Sequence, residues 1–140
     1  MSKKYALIKS DSIVFNGVTL YRIKALRDID ESFIKKGDIG GYVESKNNLS
    51  QDGCAWVYGN ARVSGNAWVY GNARVSGNAR VSGNAWVYGN ALVSGNAWVY
   101  DNARVYGDAW VYGNARVYGD ALVSGNAWVY GNALVSGRTY

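Results

Sequence analysis

The hydrophobic and polar positions between residues 57 and 140 recur with a fixed period of six. This stretch consists of fourteen consecutive hexads in the order Val, Ser or Tyr, Gly, Asn, Ala, and then Trp, Arg or Leu, with few substitutions. Valine holds the first position in all fourteen hexads, and alanine holds the fifth in thirteen. A period of six fits neither the α-helix nor the heptad of a coiled coil. It predicts a short strand and a corner, repeated around a solenoid.

Each hexad has an inward and an outward side. Strand alternation turns Val69 one way and its neighbours Trp68 and Tyr70 the other way. The valines are therefore the predicted core, and every tryptophan is predicted to point outward. Gly71 and Asn72 supply the corner, because both residue types tolerate a positive φ at low cost.

This hexad, with its aliphatic first residue and its small fifth residue, resembles the hexapeptide-repeat family. The resemblance implies an all-β fold, a left-handed parallel β-helix with three hexads in each triangular coil. The chain departs from the family pattern at the second position, where Ser or Tyr replaces the common Gly. With three hexads per coil, residues 18 apart stack on one face. A coil of two hexads is the alternative, because Trp86, Trp98 and Trp110 are spaced by 12 residues.

The same register extends upstream of the regular repeat. Residues 39–44 form a hexad, and Ile39 precedes Val57 by 18 residues. The two segments between them keep the fifth position with Leu49 and Ala55. We predict that residues 39–56 form a degenerate first coil and residues 57–140 the regular helix, giving five to six coils in total.

Residues 1–38 have a different pattern and predict a small N-terminal β cap. Residues 12–21 indicate a hairpin with its turn at Asn16 and Gly17, and residues 5–8 are a candidate third strand. Residues 28–36 are expected to be a helical turn or a loop. A solenoid needs such a cover because its terminal coil exposes unpaired strand edges.

Three segments carry a second resemblance. Residues 20–27, 37–41 and 48–50 look like the head of small bacterial and phage hexapeptide-repeat proteins of the ydcK-like type, which often carry a transferase label. The resemblance implies a bacterial or phage source. It transfers no catalytic residue to this chain.

Composition removes several classes of chemistry. The chain has no histidine and one cysteine. It therefore has no imidazole base, no Ser-His or Cys-His nucleophile and no internal disulfide. The enzymes of the resembled fold, acyltransferases and a carbonic anhydrase class, depend on histidine. We predict a protein that is not an enzyme and has no catalytic, cofactor or metal site; a transferase that uses Asp, Tyr or Cys is the alternative.

The remaining chemical candidates are interpreted as corner residues. Cys54 stands where the corner Asn belongs, and no candidate base accompanies it. Asp101 replaces a glycine, whereas Asp108 and Asp120 replace asparagines. Scattered in this way, three carboxylates do not predict a calcium site.

Charge and hydropathy favour a soluble protein. Fifteen Lys and Arg against ten Asp and Glu give a net charge of +5, which permits anionic partners. The N-terminus makes a poor signal peptide, and no apolar run approaches the ~18 residues that a membrane helix needs. We expect a cytoplasmic location in a bacterial cell or a phage-infected host, with no membrane partner.

The outward positions carry the candidate binding residues, because Trp, Tyr and Arg are enriched in interaction hot spots. Stacking between coils could explain these ladders as structural, with ~0.5–1.5 kcal/mol for each aromatic pair. Exposed aromatic patches on soluble proteins are also typical of interfaces. The candidate interface residues are Trp68, Tyr70, Trp86, Tyr88, Arg104, Tyr106, Trp110, Trp128, Arg62 and Arg80.

These ladders predict a non-catalytic binding or assembly scaffold. Its first candidate partner is a second copy of the chain, in a trimer or an end-to-end dimer. A nucleotide or a nucleic acid is the second candidate, through stacking and arginine contacts, and a glycan is the third. An accessory protein that binds and inhibits a host defence protein is a further alternative.

Overall fold

The structure, a computed structural model, describes residues 3–29 and 33–136. Within those ranges it contains seventeen β-strands and one short 3-10 turn at Lys46–Asn48. Three strands near the N-terminus are long: β1 (Tyr5–Phe15), β2 (Val18–Ala25) and β3 (Ile39–Val43). Each of the other fourteen strands has two residues, which are the valine of a hexad and the residue immediately before it. The prediction of an all-β solenoid is confirmed.

The short strands form three parallel sheets, one on each side of the solenoid. The first sheet continues from β3 through β5 (Arg62–Val63), β8 (Arg80–Val81), β11 (Trp98–Val99), β14 (Arg116–Val117) and β17 (Leu134–Val135). The second contains β4 (Trp56–Val57), β7 (Arg74–Val75), β10 (Leu92–Val93), β13 (Trp110–Val111) and β16 (Trp128–Val129). The third contains β6 (Trp68–Val69), β9 (Trp86–Val87), β12 (Arg104–Val105) and β15 (Leu122–Val123).

The pairing register fixes the coil at three hexads. Trp68 pairs with Trp86 and Trp110 with Trp128, in each case 18 residues along the chain. The alternative of a 12-residue coil is wrong, because no strand of the described helix pairs at that spacing. The solenoid has about five turns. The left-handed sense implied by the resemblance stays a prediction.

The interior is built from valine and alanine. From Ala55 to Val123, every alanine and valine of the repeat is fully buried. Each backbone layer is bonded to the next coil, as where Tyr58 N donates to Val75 O at 2.7 Å and Asn66 N to Gly83 O at 2.9 Å. These bonds satisfy the buried backbone groups, which would otherwise destabilise so narrow a core.

The N-terminal region adds an antiparallel hairpin to the first sheet. β1 pairs with β2 around a turn at Asn16 and Gly17, and β2 pairs with β3. The predicted third strand at residues 5–8 is wrong: these residues belong to β1 and pair with residues 22–25 after a shift in register between Ile8 and Ser12. The segment 28–36 contains an antiparallel bridge between Ile29 and Ile34, and its residues 30–32 lie outside the described ranges.

The first coil departs from the predicted register. Val43 pairs with Val63 and Leu49 with Val69, each 20 residues along, whereas Val57 pairs with Val75 after 18. The corner between Leu49 and Val57 is thus two residues longer than the others. The predicted register counts back from Val57 in steps of six residues, which places Ile39 in the core. Ile39 is instead 51% exposed, and Val43 occupies the core position.

Candidate binding surfaces

One tryptophan contradicts the prediction that all of them point outward. Trp56 is fully buried, and its ring meets Tyr5 of β1 edge-on, with centroids 6.4 Å apart. A Cβ on Gly40 would lie only 2.9 Å from the indole Nε1, so β3 closes over the ring. The N-terminal strands therefore convert the first outward position of the repeat into core.

We call one surface the tyrosine face. It consists of the outward residues of β6, β9 and β12 and of the tyrosine two residues after each of them. Tyr70, Tyr88 and Tyr106 stack nearly parallel, with centroid separations of 4.8 and 5.0 Å. Trp68 stacks on Tyr70 at 4.0 Å and meets Trp86 edge-on at 5.7 Å. The guanidinium of Arg104 lies 4.6 Å from the Trp86 ring. The structure thus brings six predicted residues together, and they contact mainly one another.

This mutual packing affects ionisation. Burial raises the pKa of Tyr70; the neighbouring Tyr88 raises it further, and Arg104 acts in the opposite direction. Tyr70 therefore stays neutral at physiological pH and contributes a ring and a hydroxyl, not a charge.

The outward residues of β7, β10, β13 and β16 with the residues that follow them form the tryptophan face. Trp110 and Trp128 stack at 5.4 Å with an interplanar angle of 11°. Tyr112 and Tyr130 stack beside them at 5.4 Å. Trp110 is 42% exposed, Trp128 59% and Tyr130 58%. Arg74, the outward residue of β7, lies at the N-terminal end of this face and lines a groove together with Trp110.

Two grooves continue the tryptophan face toward the N-terminal end. A groove of about 450 Å³ lies between Phe33 and Leu92, and Arg74 also lines it. A second groove of about 490 Å³ runs from Leu92 to Trp110 along the corner amides of Asn72 and Asn90. Phe33 and Tyr130 were not among the predicted interface residues. Tyr130 could have been found from its stacking position 18 residues after Tyr112, but Phe33 lies outside the repeat and has no such signal.

The outward residues of β5, β8, β11 and β14 form the arginine face. Arg62 and Arg80 lie 4.4 and 4.5 Å from the ring of Phe15, at the tip of the N-terminal hairpin. Arg80 and Arg116 flank Trp98 at 5.4 and 5.6 Å. Arg62 and Arg80 were predicted as outward interface residues, but the hairpin of the same chain half-covers them. Burial, and secondarily the charge of Arg62, lowers the pKa of Arg80.

The corners between faces are joined by side-chain amide ladders. Asn66 donates to Asn84 at 3.2 Å, Asn84 to Asn102 at 3.3 Å, and Asn102 to Asp120 at 3.4 Å. Asp101 adopts a positive φ of 59° and accepts a hydrogen bond from Gly119 N. These aspartates sit in corner ladders, where each accepts one hydrogen bond from a neighbouring coil.

Other chemistry is sparse on these surfaces. Across residues 3–29 and 33–136, no group of three or more Cys, Asp and Glu side chains is placed to hold a metal ion. Cys54 is half-buried and packs against the core. In the same ranges, no helix is long and apolar enough to cross a membrane.

Comparison with known proteins agrees with the repeat geometry. The family model described as the YdcK β-solenoid repeat matches seven overlapping segments, at residues 55–71, 68–83, 73–88, 85–100, 99–113, 109–125 and 115–131. Together these segments cover residues 55–131, which is more than half of the chain. A search of curated proteins found no similar sequence. The chain belongs to the family of YdcK β-solenoid repeat proteins.

Proposed function

We propose that this protein is a non-catalytic assembly scaffold that binds a second copy of itself through the tryptophan face. The observation that carries the proposal is the stacked and exposed pair of Trp110 and Trp128. On the other two faces, Arg104 lies over Trp86, the hairpin residue Phe15 contacts Arg62, and Trp68, which is 38% exposed, stacks on Tyr70.

Burial of this pair would supply a substantial driving force. Removing the exposed part of each indole from water contributes roughly 2 kcal/mol at about 25 cal/mol per Å². The stacked rings are held in position within one sheet, so little side-chain entropy is lost on association. The grooves beside Leu92 and Phe33, both of which Arg74 also lines, extend this surface along the same side of the solenoid.

The charge pattern supports a second copy as the partner. A two-fold interface places the same patch on both subunits, so a charged residue in the patch lies close to a residue of the same charge on the partner. From Leu92 to Tyr130 the outward positions of this face are Leu, Ser, Trp and Tyr, and Arg74 lies at the N-terminal end of the face. The arginine face, with Arg62, Arg80 and Arg116 at its outward positions, would repel its own copy.

The test is the molar mass of the full chain, measured by light scattering after size exclusion over a range of concentrations. The variant Trp110→Ser/Trp128→Ser is compared with Trp68→Ser/Trp86→Ser, which removes two contacting tryptophans at the same hexad positions of the tyrosine face. We expect the wild type and the tyrosine-face variant to have at least twice the monomer mass. The tryptophan-face variant should be a monomer with an unchanged circular dichroism spectrum.

Two outcomes would overturn the proposal. One is a wild-type monomer at the highest concentration tested. The other is an equal loss of mass in both double variants. A monomer whose tryptophan fluorescence is quenched by a glycan would instead favour sugar binding on the same rings.

A further inference from the structure

Two arginines of the arginine face lie side by side without a counter-charge. Arg62 and Arg80 pair directly on adjacent parallel strands, so their side chains leave the same side of the sheet. Both guanidiniums contact the Phe15 ring. In the described part of the chain, neither forms an ion pair with a carboxylate, and the ion pair found there joins Arg22 and Asp11. Two like charges held this close favour the binding of an anion.

One donor of this pair is also unsatisfied. Arg62 Nε is buried and has no hydrogen-bond partner among the described residues. An aromatic face attracts the charge of a guanidinium but does not satisfy its N–H groups as an oxygen would. The arginine side chain cannot relieve the penalty by losing its proton. An oxygen acceptor beside Arg62 would satisfy the group.

A small cavity lies beside Arg62 and Arg80. It measures about 90 Å³ and is lined by Arg62, Arg80, Ser64, Ser82 and the hairpin tip. One water molecule needs ~10–15 Å³ of such a cavity, so this cavity holds several water molecules or one small oxyanion. Its lining contains no carboxylate.

The hydroxyls complete a set of donors. Ser82 Oγ accepts a hydrogen bond from Trp98 Nε1 at 3.3 Å, so its own hydrogen remains available to donate. Ser64 holds the equivalent position one coil earlier. Phe15, together with Val18 and Leu20, supplies an apolar wall, which strengthens charge interactions in the cavity.

We propose that this cavity binds a phosphate group, bridged by Arg62 and Arg80 and hydrogen-bonded by the hydroxyls of Ser64 and Ser82. A tetrahedral dianion matches two fixed positive charges, and guanidiniums bind phosphate oxygens in directed pairs. A carboxylate carries half that charge. The site lies on a different face from the proposed self-association surface and does not depend on it.

The phosphate could be free or part of a monoester. The cavity shares Arg80 and Trp98 with a groove of about 410 Å³, which continues to Arg116. An organic group attached to the phosphate would lie in this groove, against Trp98. Inorganic phosphate and adenosine monophosphate are therefore the two probes.

The experiment is calorimetric titration of the full chain at low ionic strength with inorganic phosphate, adenosine monophosphate and acetate. We expect wild-type binding of inorganic phosphate with a Kd below about 1 mM, and at least tenfold weaker binding by Arg80→Gln and Arg62→Gln. Arg116→Gln is the matched control, because Arg116 has the same hexad position on the same face but lies outside the cavity. Ser64→Ala retains both charges and should weaken binding by a smaller factor.

The titrations separate the possible results. Tighter binding of adenosine monophosphate than of inorganic phosphate identifies a monoester as the ligand, whereas equal binding identifies the phosphate group alone. The proposal is overturned if the wild type shows no binding of either phosphate probe, if acetate binds as tightly, or if Arg116→Gln weakens inorganic phosphate as much as Arg80→Gln does. A monomeric wild type would not affect this result.

Discussion

At the scale of single residues, the corner glycines set how closely two coils approach. Gly95 has a φ of 65°, and a Cβ placed on it would lie 2.9 Å from the backbone nitrogen of Gly113 in the next coil. Gly125 has nearly the same φ, 62°, but a Cβ there would meet no atom within 4 Å. The two positions thus share the conformational requirement and differ in the contact between coils.

We predict that Gly95→Ala lowers the free energy of unfolding more than Gly125→Ala does. Both variants lose about 1 kcal/mol because alanine disfavours a positive φ. Gly95→Ala should lose at least ~1 kcal/mol more, because the methyl group forces the coils apart. Urea unfolding monitored by circular dichroism measures the difference. Equal losses would show that the contact between coils is not limiting.

At the scale of elements, the docking of β1 onto the first coil is the least periodic part of the fold. Lys4 is fully buried, and its Nζ donates to Ala55 O at 2.7 Å, while the Tyr5 hydroxyl donates to Leu49 O. Burial, assisted by Arg27, lowers the pKa of Lys4 to about 8. The N-terminal strand is thus held by polar bonds from buried side chains to the carbonyls of the long corner.

We predict that stability rises between pH 8 and pH 10 through Lys4. In this window the unfolded chain, with the ordinary lysine pKa of 10.5, binds more protons than the folded chain, so a higher pH favours folding. The gain relative to Lys4→Met should not exceed ~1.4 kcal/mol per pH unit. Urea unfolding at pH 7, 8, 9 and 10 tests this prediction. A constant difference between the two proteins from pH 8 to 10 would contradict it.

At the scale of the whole molecule, stability comes from contacts between neighbouring coils. The coils from Ala55 to Val123 share the same Val and Ala interior, and the corner asparagines from Asn66 to Asn102 each donate from the side-chain amide to the corresponding residue of the next coil. Such a solenoid behaves as a one-dimensional stack, in which each coil adds an interface of similar strength.

We predict that deletion of residues 84–101, which is one coil, leaves a folded and less stable protein. The deletion joins Gly83 to Asn102, so the hexad order and the three faces are preserved. Deletion of residues 84–98, which is 15 residues, breaks the hexad and turns valines outward. Thermal unfolding should be cooperative for the first variant and absent for the second. Cooperative unfolding of both would show that the hexad register is not required.

Much of this architecture follows from the sequence because its interactions join equivalent residues. The fixed hexad determines which side chains are buried, and three hexads per coil determine which outward residues stack, as for Trp110 and Trp128. The neighbours of any residue in the repeat therefore lie at known separations along the sequence. The predicted faces agree with the observed sheets for this reason.

The tertiary structure decided the features that depend on aperiodic contacts. The long corner before Ala55 placed Val43, not Ile39, in the core. Docking of β1 and β3 buried Trp56. The position of Phe15 over two arginines likewise depends on how the hairpin folds against the solenoid. The repeat determines the contacts within itself, but the packing of the N-terminal strands depends on side chains distant in sequence, which no period relates.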